Sequence, residues 1–176
     1  MKGKFGVRGA ITAPAHHMLH MRRLRPLFKL KLIAAGMLVL AASAGWLYWR
    51  HNIEWSARVA WGEARGEPDG GMQAVLNVMV NRKKDQRFPG SLSGVAKQGF
   101  QFSAYNASDP NKKKLEAVGE DDQQYLKAIE LATWAQVGLL PDITGGATFY
   151  HSSDIARPAF LSDAEVSATI GKHVFY

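Results

Sequence analysis

Two glutamates stand four residues apart, Glu63 and Glu67, in "ARVAWGEARGEPDGGMQAVLNVMVNR" (57–82), where one apolar helical pattern ends and another begins. Carboxyl groups at such a place either solvate a surface turn or hold a proton in a cleft. Cleavage of a glycosidic bond needs an acid that protonates the leaving oxygen. Hydrolysis needs a second carboxylate about 5–9.5 Å away as base or nucleophile. Glu63 and Glu67 could form that pair, with Trp61 as an apolar neighbour of the acid. An ion pair of Glu67 with Arg65 is the simpler reading of the second carboxylate. On spacing alone, a catalytic Glu63 and a surface Glu63 are equally supported.

Other chemistries find less support. The chain has no cysteine, which removes disulfides, thiol nucleophiles and zinc–thiolate sites. A zinc hydrolase needs three protein ligands. Beyond residue 49 the histidines are His51, His151 and His173, and no HExxH occurs. "GSLSG" (90–94) lacks the spacing of a nucleophile elbow. "GEARGEPDGG" follows a helix, is acidic and lacks a following Lys-Ser/Thr, so it is no phosphate loop. No metal and no cofactor are expected.

The elements that must position these carboxylates follow from periodicity. "IEWSARVAWGEA" (53–64) places Ile53, Ala57, Ala60 and Ala64 on one helical stripe, with Glu63 at its edge and Gly66 as the stop. A carboxylate there faces the negative end of the helix dipole, a poor choice for stability and a useful one for a proton carrier. "PDGG" predicts a turn with Asp69 as N-cap of a helix over 71–82, whose core face is Met72, Val75, Leu76 and Met79. Asn77 and Asn81 share another side of it. A short helix is expected over 91–97, then an irregular aromatic and amide-rich stretch, 98–114. A longer helix over 121–137 offers Tyr125, Ile129, Ala132 and Trp134 to the core. Segments 145–153 and 169–176 are β-prone and bounded by glycine, fit to pair as a small hairpin-like sheet. The fold class is α+β, with helices dominant.

The formal charge of +7 suggests nucleic acid until its distribution is read. Residues 1–31 hold eight Lys or Arg and no acid; the rest has 22 − 8 = 14 basic against 15 acidic residues. A cationic groove for phosphates is therefore not expected, and nucleic acid is not an expected partner. The basic tail abuts "LIAAGMLVLAASAGWLYW" (32–49), eighteen residues without a charge and with three aromatic residues at the far end. Such a helix is about 27 Å long, close to a hydrocarbon core. The expected organisation is a cytoplasmic basic tail (1–31), a transmembrane signal anchor (32–49) and an exported catalytic domain (50–176), with His51 on a membrane-proximal linker. "ASA" at 42–44 keeps a cleaved signal peptide open, and slow release from the membrane is a third reading. Met18 and Met21 are alternative starts.

The quoted 57–82 stretch, "RFPGSLSGVAKQGFQFSAY" (87–105), "GGATFYHSS" (145–153) and the terminal "TIGKHVFY" resemble, in this order, the SleB-type cell wall hydrolases. These are the spore-cortex-lytic enzymes and their bacterial and phage relatives, and the resemblance spans roughly residues 55–176. It implies a compact, mainly helical, lysozyme-like domain related to lytic transglycosylases and resuscitation-promoting factors, acting on peptidoglycan glycan strands. By motif, Glu63 matches the catalytic glutamate. Gln101, Phe102 and Ser103 match a "QFS" signature, and Tyr150 with His151 an "FYH" segment; these are expected to contact or position substrate, with core support an equal reading of Phe102. Glu67, Asn81 and Arg82 match as well, as turn and packing residues. Unlike the germination enzymes, this sequence shows no peptidoglycan-binding repeat before the domain, and the apolar segment is expected to localise it instead. The implied reaction is lytic transglycosylation with Glu63 as acid and then base. A hydrolytic muramidase, an N-acetylmuramoyl-L-alanine amidase and a non-catalytic wall-binding protein are the alternatives.

Overall fold

The computed structural model describes residues 26–67, 70–98, 102 and 112–176; Asp69, Gln101 and Ser103 lie outside them. The elements are α1 (Pro26–Ala64), α2 (Gly71–Lys84), α3 (Leu92–Ala96), α4 (Lys112–Ala117), α5 (Gln123–Gln136), β1 (Tyr150–Ser152), β2 (Ala168–Ile170) and β3 (His173–Phe175), with a 3-10 turn at Ala159–Leu161.

Contacts divide the chain after Leu40. Up to that point α1 exposes Leu27, Leu30, Leu32, Ile33, Met37, Leu38, Val39 and Leu40, so apolar side chains point outward on every side. Its most apolar stretch has a mean hydropathy of 1.8 and no buried residue. A helix that is apolar all round belongs in a protein core or in lipid.

Residues 41–176 form the second unit. The expected linker at residue 51 is absent: α1 continues as helix through Arg50, His51 and Asn52 to Ala64. The polar break is bridged by Asn52, buried at 1%, whose Nδ2 donates to the Tyr48 carbonyl and whose Oδ1 accepts from the Ser93 amide at 2.9 Å. His51 stays on the surface beside Lys97 and Trp55.

The core sits where the small residues of α1 let other helices approach. Ile53, Ala57, Ala60 and Ala64 pack with Met72, Val75, Leu76 and Met79 of α2, with Leu92 and Val95 of α3, and with Tyr125, Ala128 and Ala132 of α5. Apolar stripes at helical spacing explain both agreements with the sequence, for α1 and for α2. On α5 the buried face is Tyr125, Ala128, Ala132 and Ala135, whereas Trp134 is 46% exposed, contrary to expectation. The face that meets the core carries small side chains, and an indole one residue off it turns outward. Asp122 caps α5 by accepting from the Gln124 and Tyr125 amides.

The turn before α2 also differs from expectation. The N-cap position is Gly70, at φ 100°, and Asp69, the expected N-cap, lies outside the described residues. Gly70 supplies a left-handed conformation that glycine tolerates. Gly71 supplies room, because a Cβ there would lie 2.5 Å from the Glu67 Cβ.

The sheet has three antiparallel strands in the order β1-β3-β2, with Tyr150 opposite Phe175 and His151 opposite Val174. The two expected segments do pair, as β1 and β3, but the second one turns back at Gly171 and supplies β2 as well, with Ala168 opposite Phe175. Between α5 and β1 runs a loop tied to α2. Asn77 Nδ2 donates to the Pro141 carbonyl and its Oδ1 accepts from the Ile143 amide. Asn81 Nδ2 donates to Asp142 and to the Ala147 carbonyl. The asparagines that share a side of α2 thus hold the loop that delivers β1.

Partial burial pushes the Asp142 carboxyl up, but hydrogen bonds from Thr144, from Asn81 and from the Thr144 and Gly146 amides outweigh it and hold the group below its usual 3.8. A folded value below the unfolded one means stability that is present above that usual value and lost as pH falls through the folded value. Asp142→Ala is expected to cost about 1 kcal/mol near neutral pH, the group being solvent-exposed. Thermal unfolding from pH 7 to pH 3 checks this, and the variant should lose less stability on acidification than the parent.

Candidate active site

Glu63 leaves the last turn of α1, and the turn 65–67 brings Glu67 to the sheet. There the Glu67 Oε2 accepts from the Lys172 backbone amide, in the β2–β3 turn, at 2.8 Å. Arg65 does not pair with it. The Arg65 guanidinium folds back over the Trp61 ring, 4.2 Å from its centroid, and donates to the Gly62 carbonyl. Cation–π attraction and a free carbonyl keep the arginine on its own helix, and a backbone donor takes the carboxylate. Trp61 is buried in the helical core with this arginine on its face.

The sheet supplies the rest. Alternation along β1 and β3 sends Tyr150, His173 and Phe175 to one face. The Tyr150 ring meets His173 edge-on at 5.0 Å and Phe175 at 5.5 Å, and its Oη donates to Glu63 Oε2 at 3.2 Å. Burial first, then the Glu63 charge, push the Tyr150 phenol well above its usual 10.0, against the pull of Arg82. The phenol is therefore neutral throughout the working range and acts as a hydrogen-bond donor to the carboxyl.

Arg82 reaches this face from α2. It is buried at 3%, its Nε donates to the Thr148 carbonyl at 2.7 Å, and the Phe88, Phe102 and Phe149 rings surround the guanidinium at 5.2–5.4 Å. Burial lowers its pKa, against the charge of Tyr150. Arg82 thus fixes the strand two residues before Tyr150.

Of the residues singled out in the sequence, Glu63 and Tyr150 meet. Phe102 is buried at 1% beneath Arg82, a supporting position. His151 lies on the opposite sheet face from Tyr150, stacked on Tyr176 at 5.6 Å. Gln101 and Ser103 are outside the described residues. His173 was passed over as a site residue, although it stands two positions before Phe175 in a strand pattern, the spacing that shares a face. Among the described residues, no three His, Asp or Glu side chains gather closely enough to hold a metal ion.

Burial lowers the His173 pKa below 6.5; Glu67 and Glu63 oppose this, and His151 adds to it. The unfolded chain therefore binds a proton that the folded one resists, and stability falls as pH drops from 6.5 toward the lower folded value. His173→Gln is expected to flatten that part of the pH–stability curve. Melting temperatures at intervals between pH 7.5 and 5 test it, an unchanged slope being the contrary result.

Comparison with known proteins agrees with this architecture. The family profile described as Cell Wall Hydrolase matches residues 66–176 and begins just after Glu63. A spore cortex-lytic enzyme of Halalkalibacterium halodurans is 33% identical over 73% of this chain and 35% of its own length; one of Bacillus cereus is 32% identical over 73% and 45%. The chain thus spans less than half the length of these curated relatives. The catalytic domain of the Bacillus cereus SleB protein superposes with a TM-score of 0.58 at 28% identity, covering 72% of this chain and 89% of that one. The catalytic domain of the germination-specific lytic transglycosylase SleB from Bacillus anthracis gives 0.57 at 29% identity, covering 71% and 93%. With the profile covering well over half of its residues and the fold shared with two catalytic domains, the chain belongs to the SleB-type cell wall hydrolases.

Proposed function

We propose that this domain degrades peptidoglycan by cleaving the bond between N-acetylmuramic acid and N-acetylglucosamine, as a lytic transglycosylase with Glu63 as its one acid and base. The observation that carries this reading is the division of labour between the two glutamates. Glu63 faces a neutral phenol, while Glu67 accepts a backbone amide and braces the sheet. A carboxylate committed to a structural hydrogen bond is a poor nucleophile or water activator. One structural relative, SleB of Bacillus anthracis, is a germination-specific lytic transglycosylase, which supports the same choice.

In the first half of the reaction, Glu63 protonates the oxygen leaving the muramic residue, and the C1–O bond breaks toward an oxocarbenium-like state. In the second, the Glu63 carboxylate takes the proton of the muramic C6 hydroxyl as its oxygen bonds to C1, closing a 1,6-anhydro ring. Tyr150 holds the carboxyl in place and steadies the cationic sugar. Gln101 and Ser103 contact the glycan, Phe102 supports Arg82, and His151, on the other face of the sheet, meets the glycan away from the Glu63–Tyr150 pair. The apolar half of α1 anchors the chain in the membrane, with the domain outside the cytoplasm.

Mass spectrometry of sacculus digests tests the reaction. Anhydro-muropeptides are expected as the main new ends. Reducing ends instead would establish a muramidase, and intact glycan strands with freed peptides an amidase.

A further inference from the structure

The face that carries Tyr150 holds one polar ring to which the proposed reaction gives no task, His173. Its side chain is buried at 8%, and its Nδ1 is enclosed with no hydrogen-bond partner among the described residues. An enclosed polar atom without a partner costs stability, so packing alone would favour a hydrocarbon ring at this position. The imidazole is kept for something besides filling space.

Its neighbours show what that is. Two rings bound Tyr150: His173, edge-on at 5.0 Å and 87°, and Phe175, tilted at 5.5 Å and 34°. The hydroxyl that reaches Glu63 Oε2 is at the far end of the phenol, so the tilt of that ring sets the aim of the hydroxyl. His173 itself leaves a fastened turn, because the Lys172 amide beside it donates to Glu67 Oε2 at 2.8 Å. The imidazole is thus a wall for the phenol, secured to the same chain end that carries the acid.

The charge of this wall matters as much as its place. Glu63 at the end of α1, Glu67 in the turn after it and His151 on β1 act on the imidazole, and Tyr150 touches it. The adjacent Lys172 pairs with Asp154, and β2 offers only Ile170 opposite His173. A neutral imidazole leaves both carboxylates with their present donors. An imidazolium would attract them and compete with the Tyr150 hydroxyl for Glu63.

We infer that His173 is a positioning residue for the acid, its neutral ring holding the Tyr150 hydroxyl on Glu63 and its protonation releasing that contact. The inference rests on the acid role proposed for Glu63.

Steady-state kinetics on soluble peptidoglycan strands between pH 5 and pH 8 test it. At pH 7.5, His173→Ala should lower kcat about tenfold, the upper worth of an edge-to-face ring pair, with KM within about twofold of the parent. His173→Phe should recover most of that loss, because it rebuilds the wall. Melting temperatures establish that both variants are folded. In the parent, kcat should fall as pH drops below 6.5, the ordinary value of the imidazole, and this acid limb should vanish in His173→Phe. In Tyr150→Phe no hydroxyl is left to aim, so adding His173→Ala should cost no more than about twofold further. A full additional tenfold loss in that double variant would overturn the inference, and so would an unchanged acid limb in His173→Phe. A Tyr150→Phe enzyme as fast as the parent would overturn it too, by taking the hydroxyl out of the mechanism. The reading of the reaction fails by a different measurement, the appearance of reducing ends. The coupling of His173 to Tyr150 is read from rates, whichever ends form.

Discussion

Glu63→Gln is expected to lower sacculus solubilisation by about 10²–10⁴-fold, the usual contribution of a positioned acid–base group. The amide keeps the size of the side chain and an oxygen that can accept from the Tyr150 hydroxyl, now at 3.2 Å from the carboxylate. What it loses is the proton to give and the charge to take one back. Circular dichroism and melting temperature should therefore match the parent while turbidity clearance of sacculi fails. Glu67→Gln is the informative companion. Its amide oxygen can still accept from the Lys172 backbone, so activity should stay within about tenfold of the parent. An equal collapse in both variants would mean that both carboxyls do chemistry, and a hydrolytic pair would replace the single-acid mechanism.

Tyr150→Phe is expected to reduce kcat/KM by about 10–10²-fold, the equivalent of one hydrogen bond to a charged group. The ring stays, and with it the contacts to His173 and Phe175. Stability should consequently change little, which separates a missing hydroxyl from a damaged fold. The product pattern should keep its anhydro ends, since the phenol positions the acid and does not move protons. A fully active Phe variant would remove Tyr150 from the mechanism. The substitution should also spare the Arg82–Thr148 bond, because that bond is made by the backbone of the strand.

Much of this was legible in the residues because periodicity is a local property. The stripe of Ile53, Ala57, Ala60 and Ala64 fixes both the helix and its buried side, and Glu63 follows as the residue at its end. The glycine-bounded segments give β1 and β3 for the same reason. The second segment holds two strands and not one, because it folds back at Gly171 so that β2 pairs with β3, a turn that the β-prone residue types alone do not mark. The unbroken course of α1 depends on Asn52 finding the amide of Ser93, a partner 41 positions away that no window of sequence contains. Competition decided the site in the same way. Arg65 and Glu67 are adjacent enough to pair, yet an indole face and a backbone amide each offer a better partner. The meeting of Glu63 with Tyr150 spans 87 positions and is arranged by the loop that Asn77 and Asn81 hold.

The unbroken helix has a mechanical meaning. Fourteen residues separate Trp49 from Glu63, which at helical rise is about 21 Å of stiff rod. A rod of that kind also keeps phase: one residue inserted between Asn52, which is held by the Ser93 amide, and Glu63 would swing the carboxyl about 100° around the axis, away from the Tyr150 hydroxyl.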